Sequence, residues 1–94
     1  MTFYVYIISN QHHTVFYTGI TNDIKRRIIE HKTGFYRRAF SRMYNCDKLL
    51  YFEEYENRHQ AANREVELKR FRREWKMQLI QKMNMGLRDL SEDW

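Results

Sequence analysis

Two short runs of aromatic and β-branched residues, Tyr4-Val5-Tyr6-Ile7-Ile8 and Thr14-Val15-Phe16-Tyr17-Thr18, flank the polar stretch Ser9-Asn10-Gln11-His12-His13. Such residues fit a pleated surface, and a polar turn between them makes a β-hairpin the expected local fold. Alternation puts Tyr4, Tyr6 and Ile8 on one face of the first strand and Phe3, Val5 and Ile7 on the other. On the second strand Val15, Tyr17 and Gly19 share a face. A register that joins those faces makes Tyr6 and Tyr17 near neighbours, with both hydroxyls on one side of the sheet. The helix that follows has Thr21 and Asn22 as cap residues and Asp23 at the positive end of its dipole. Along it Arg27 and His31 lie one above the other, with Ile24 on the same side. Gly19 suits a point where the backbone passes close to another group.

Gly34 is a C-cap for that helix. The segment from Phe35 to Tyr44 has no clean period and reads as an irregular loop. Arg37, Arg38 and Arg42 interleave there with Phe40 and Tyr44, as a surface binding phosphates and stacked bases requires. The pattern equally allows Phe40 and Tyr44 as core anchors with the arginines solvated. Asp47 to Tyr55 forms a third strand, in which Leu49, Tyr51 and Glu53 alternate with Leu50, Phe52 and Glu54. Glu53 and Glu54 then point to opposite faces, so they do not share one ion and read as strand-edge charges. Asn57 caps a second helix that reaches about Phe71, and the residues up to Ile80 extend it or form a third. Ala61, Ala62, Leu68, Phe71 and Trp75 sweep out one apolar arc, with Val66 at its margin. Glu65 falls inside that arc and Glu67 outside it. A carboxylate on a buried stripe must be paired, protonated or bound to a metal, and a salt bridge to an arginine would satisfy the same physics. Leu79, Ile80 and Met83 repeat at core spacing, so Trp75 reads as packing. Strand, strand, helix, strand, helix, helix implies an α+β layer: a small three-stranded antiparallel sheet flanked by helices.

Ninety-four residues make one small domain, read as a folded unit over 1–84 and a short tail over 85–94. Leu87, Leu90 and Trp94 in that tail suit a docking turn or an oligomer contact. No window approaches the roughly 20 apolar residues needed to cross a bilayer, so no membrane role is expected. The single cysteine, Cys46, excludes an internal disulfide framework and fits a reducing cytoplasm. A net charge of +5 and a pI near 9.5 favour an anionic partner, most economically nucleic acid.

Tyr4-Val5-Tyr6 and Tyr17-Thr18-Gly19 resemble the paired tripeptides of the GIY-YIG nuclease superfamily, and Arg27-x-x-x-His31 follows at that superfamily's distance. Further matches are Phe40-Ser41-x-x-Tyr44, Leu49-Leu50-Tyr51-Phe52-Glu53, and Arg64-Glu65-x-x-Leu68-Lys69 with Trp75 and Lys76 behind. The likeness spans residues 3 to 80 and is closest to small stand-alone members. Tyr4 replaces the glycine of the first tripeptide and Val5 its isoleucine, while Thr18 replaces the isoleucine of the second. The tyrosines and second glycine are kept, which leaves local strand packing more affected than chemistry.

The resemblance implies a metal-dependent endonuclease acting on DNA, structured or single-stranded, with a place in DNA repair. Tyr6 and Tyr17 would orient or deprotonate water, Arg27 would bind phosphate, His31 would support the site, and Glu65 would hold one Mg²⁺ or Mn²⁺. Phosphodiester hydrolysis needs those parts: an activated water, charge stabilisation at the phosphoryl oxygens, and help for the leaving oxygen. A phenol with a reference pKa of about 10 is a poor base, but nearby cations such as Arg27 and Lys25 lower it. Lys25, Arg26, Arg37, Arg38, Arg42 and Lys69 are the expected nucleic-acid contacts. The rival expectations are a non-catalytic nucleic-acid-binding module, or an interaction subunit that joins a partner protein or a homo-oligomer.

Overall fold

Asn10 closes the first hairpin. Its Oδ1 accepts the backbone N–H of Thr14 at 2.9 Å and of Val15 at 3.1 Å, and its Nδ2 donates to Thr14 Oγ1 at 2.6 Å. Thr14 and Val15 therefore belong to the turn. The strands are β1 (Phe3–Ser9) and β2 (Phe16–Thr21), and β2 runs through Gly19 to the next helix. The computed structural model describes residues 1–33 and 45–94. The loop expected between Phe35 and Tyr44, with Arg37, Arg38 and Arg42, lies outside the described residues, as does Gly34.

β3 (Lys48–Tyr55) pairs antiparallel with the other side of β1, giving the order β2-β1-β3. The expected three-stranded antiparallel sheet is thus formed, with β1 at its centre. Val5 to Ser9 are all buried because helices cover both faces. The register shifts between Ile7 and Ile8: Ile7 pairs with Tyr51 but Ile8 with Leu49, so Leu50 is the extra residue of a β-bulge. The bulge corrects the simple alternation in this strand. Leu49 packs with Tyr6, Ile8 and Phe52, whereas Leu50 and Tyr51 both join Val5 and Ile7 on the opposite face. Glu53 pairs with Val5 and lies on that second face, while Glu54 is exposed.

Helix α1 (Ile24–Thr33) buries Ile24, Ile28 and His31. Its cap is Asp23, whose Oδ1 accepts from Arg26 N at 3.1 Å, and Thr21 Oγ1 in turn accepts from Asp23 N at 3.1 Å. The capping role expected of Thr21 and Asn22 thus sits one residue further on. Helix α2 (Arg58–Lys69) starts as expected, with Asn57 Oδ1 accepting from His59 N and Gln60 N. It stops at Arg70, and α3 (Arg73–Met83) begins after an extended Arg72. Arg73 anchors the new helix to the hairpin by donating to Thr14 O at 2.8 Å and to His13 O, with its guanidinium 5.0 Å from the Phe16 ring centre. The break puts Trp75 off the α2 stripe. It is 48% exposed and edge-on to Phe71 at 5.8 Å, so the expected core role fails, as it does for exposed Met83. Ile80 is fully buried.

The chain beyond α3 docks on the outer edge of β3. Asn84 Nδ2 donates to Leu50 O, Asp89 Oδ1 accepts from Leu49 N, and Leu90 N donates to Leu49 O at 2.8 Å. Lys32 of α1 holds Asp89 at 2.8 Å. These bonds satisfy the exposed strand edge at the bulge. Leu87 and Leu90 pack on the two opposite cores, as a docking turn requires. Among the described residues no helix is long and apolar enough to cross a membrane.

Thr18 pairs with Ile7 on the α2 side of the sheet, 4% exposed, and its Oγ1 has no hydrogen-bond partner among the described residues. A buried hydroxyl without a partner costs on the order of 1 kcal/mol or more. Thr18→Val keeps the shape and removes that cost. It is expected to raise the unfolding free energy by about 1 kcal/mol in urea denaturation, and a loss of stability would show that the hydroxyl is satisfied.

Candidate active site

The expected tyrosine pair forms at the β1–β2 seam. Tyr6 is opposite Gly19 and Ile8 is opposite Tyr17, so the two phenols are diagonal neighbours, with ring centres 6.5 Å apart. His31 completes a three-ring cluster, 5.9 Å from the Tyr6 ring centre and 5.7 Å from that of Tyr17. Tyr6 Oη and His31 Nε2 are in hydrogen-bond contact at 3.1 Å. Tyr6 is 1% exposed and Tyr17 half-buried. Gly19 is required by this packing: a Cβ there would fall inside the contact radius of the Tyr6 phenol, which is buried and has nowhere to retreat. The expected close approach of backbone to another group at Gly19 is therefore to Tyr6 itself.

Burial holds the His31 pKa down, to about 4, helped by the Arg27 charge one turn away and opposed by Glu30. His31 is therefore a neutral imidazole at pH 7, a weak base placed as a hydrogen-bond partner for the Tyr6 hydroxyl. Arg27 Nε lies 3.6 Å from Glu30 Oε1 on the same helix. Its side chain also lines an open cleft with Thr21, Asn22, Ile20, Phe3 and Arg58. Ile20 and Phe3 belong to the α2 side of the sheet and Arg27 to the α1 side, so the cleft wraps round the outer edge of β2.

Glu65 stands on α2, across the sheet from α1. Its side chain is 18% exposed and its ion-pair partner is Lys69, at 3.5 Å. The carboxylate on the apolar stripe is thus paired, with a lysine one turn on. Ala61 and Leu68 are buried beside it, and Arg64 reaches the other way, to Glu53 on β3. Arg64 on one side of that stripe places Glu65, 100° further round, on the flank towards β2. Arg58, two turns earlier, shares that flank.

Glu53 carries more than a strand-edge charge. Arg64 Nε donates to it at 2.9 Å, Tyr55 Oη at 2.6 Å, and Tyr51 Oη also donates. Burial raises the carboxyl pKa, but the Arg64 and tyrosine hydrogen bonds outweigh it and the net shift is downward. Burial and the Glu53 carboxylate push the Tyr55 hydroxyl up to about 12. Glu53 is therefore committed to positioning α2. Sequence reasoning missed this network, and it missed Arg58; the match between a strand carboxylate and a helix arginine was the one available signal for the former.

Lys25 and Arg26 are exposed on α1, and Lys69 is engaged with Glu65. Among the described residues no group of three or more His, Cys, Asp or Glu side chains is placed to cage a metal. Glu65 offers one carboxylate, which fits a hard ion that keeps most of its own water, as Mg²⁺ does. Cys46 is buried and burial, with the Asp47 charge, raises its thiol pKa to about 11, so it is an inert core residue.

Comparison with known proteins agrees with this geometry. The family model described as the GIY-YIG catalytic domain matches residues 2–78. A UPF0213 protein of Clostridium perfringens is 39% identical over 77 residues, covering 82% of this chain and 81% of the relative. One from Haloquadratum walsbyi is 37% identical over 78 residues, covering 83% and 85%. The solution NMR structure of a UPF0213 protein from Bacillus halodurans superposes with a TM-score of 0.60 at 27% identity, over 99% of this chain and 97% of that one. With its paired tyrosines, helix arginine and histidine in this arrangement, the chain belongs to the GIY-YIG catalytic domain family, alongside the UPF0213 proteins.

Proposed function

We propose that this chain is a divalent-metal-dependent endonuclease that hydrolyses phosphodiester bonds in DNA, structured or single-stranded. Membership of the GIY-YIG family supports nuclease chemistry and a nucleic-acid substrate. The observation that carries the reading is the Tyr6–His31 hydrogen bond, with Tyr17 against both rings and Arg27 one turn away. The His31 imidazole, neutral at pH 7, fixes the Tyr6 hydroxyl through their hydrogen bond, and the two rings together position the Tyr17 phenol. Tyr17, the more exposed phenol, is the one that meets the attacking water. Tyr17 orients that water, whose oxygen bonds to phosphorus as the bond to the leaving oxygen breaks, and the proton the water gives up passes to the leaving oxygen. Arg27 offers a guanidinium fork to the phosphoryl oxygens, where charge grows. Glu65 would hold the cation, which supplies charge neutralisation at the phosphate when bound.

The test is a cleavage assay with Mg²⁺ or Mn²⁺ on plasmid, single-stranded, flapped and branched DNA. Wild type is compared with Arg27→Ala and Glu65→Ala. Metal-dependent nicking, reduced at least about 100-fold by either substitution, is expected from the loss of one transition-state contact. No cutting of any substrate, with salt-sensitive binding intact, would make the chain a binding module instead.

A further inference from the structure

We infer that Arg58 is a second phosphate-binding residue of this site, holding the backbone phosphate next to the one bound by Arg27. The inference rests on the nuclease reading above and adds to it a residue that grips the strand away from the reacting phosphate. Two guanidiniums, Arg27 from α1 and Arg58 from the first turn of α2, line one open cleft, and among the described residues no acidic side chain lines it with them. Arg27 has Glu30 on its own helix. Arg58 is exposed and makes no ion pair among the described residues. Two like charges lining one cleft repel, and an anion held between them relieves that repulsion. A guanidinium fork matches two phosphate oxygens better than it matches any neutral group.

The position of Arg58 is also built. Asn57 Oδ1 accepts from His59 N at 2.7 Å and fixes the start of α2, and the Arg64–Glu53 pair fixes the helix's rotation on the sheet. Arg58 and Glu65 then lie on one flank, two helical turns or about 10 Å apart. That span suits a strand running along the β2 edge past the cleft that Arg27 and Arg58 line.

Cleavage kinetics and salt-dependent binding of short DNA oligonucleotides test this, using wild type, Arg58→Ala and Arg58→Lys, with thermal denaturation to establish that each is folded. Arg58→Ala is expected to raise KM about tenfold, the worth of one charge-assisted contact, with kcat within about twofold. It should also flatten the slope of log affinity against log salt by about 1, the loss of one phosphate contact. Arg58→Lys should recover the slope and part of the affinity. An oligonucleotide with a neutral methylphosphonate beside the scissile position should weaken wild type by a similar factor and Arg58→Ala no further. If wild type cuts but Arg58→Ala matches it in KM and slope, Arg58 is only a surface charge and the nuclease reading stands. A drop confined to kcat would also overturn the assignment, by placing Arg58 at the reacting phosphate. If wild type neither binds nor cuts DNA, both readings fall.

Discussion

Replacing Glu53 with glutamine is expected to lower the unfolding free energy by about 3 kcal/mol. Glu53 and Arg64 are 16% and 23% exposed, so the pair is shielded from solvent. Breaking such a pair costs more than the pair itself contributes, because the remaining ion stays desolvated without its partner. Glutamine fits the same space but turns an –NH₂ group toward donors: two tyrosine hydroxyls and a guanidinium. Glu67, which also pairs with Arg64, limits the loss. A double-mutant cycle with Arg64→Met separates the pairwise part, and a coupling above about 1.5 kcal/mol is expected. Singles that simply add would mean that the contact is cosmetic. Because the network sets the rotation of α2, Glu53→Gln should also reduce any metal-dependent cleavage while leaving Tyr6, Tyr17 and Arg27 untouched.

What the sequence made legible was local. The hairpin, the Asn57 cap and the diagonal Tyr6–Tyr17 pair depend on residues close in sequence or on a period of two, and all three are present. The sheet and its flanking helices followed from the order of those elements. Features set by distant partners were not legible. The bulge at Leu50 arises in a strand covered on both faces, where apolar residues occur at every position and carry no phase. The break between α2 and α3 has no glycine or proline to mark it; Arg73 is held by carbonyls of the hairpin turn, far away in sequence. That break is why Trp75 left the core. Glu53 looked like an edge charge because its arginine stands eleven residues on, in another element. Arg58 was hidden for the converse reason: an exposed arginine in a first turn looks like any surface charge until the fold puts it across a cleft from Arg27.

The second large effect is pH-dependent stability from His31. Its folded-state pKa is about 4, against an ordinary value of 6.5. The unfolded chain therefore binds a proton between those values and the folded chain does not, so stability rises with pH across that window. The contribution is fully present above about pH 6.5, falls as the solution is acidified, and is gone below about 4. At about 1.4 kcal/mol for each pH unit between the two values, neutral His31 holds on the order of 3 kcal/mol. Glu53 and Asp89, whose carboxyls are held below their usual range, add acid sensitivity of their own, but at lower pH. His31→Gln keeps an amide to meet the Tyr6 hydroxyl and removes the titration. Urea unfolding at intervals from pH 7.5 to 4.5 should show wild type losing about 2–3 kcal/mol more than the variant. Parallel curves would mean that His31 titrates in the folded chain as it does in the unfolded one, so that burial is not what keeps the imidazole neutral.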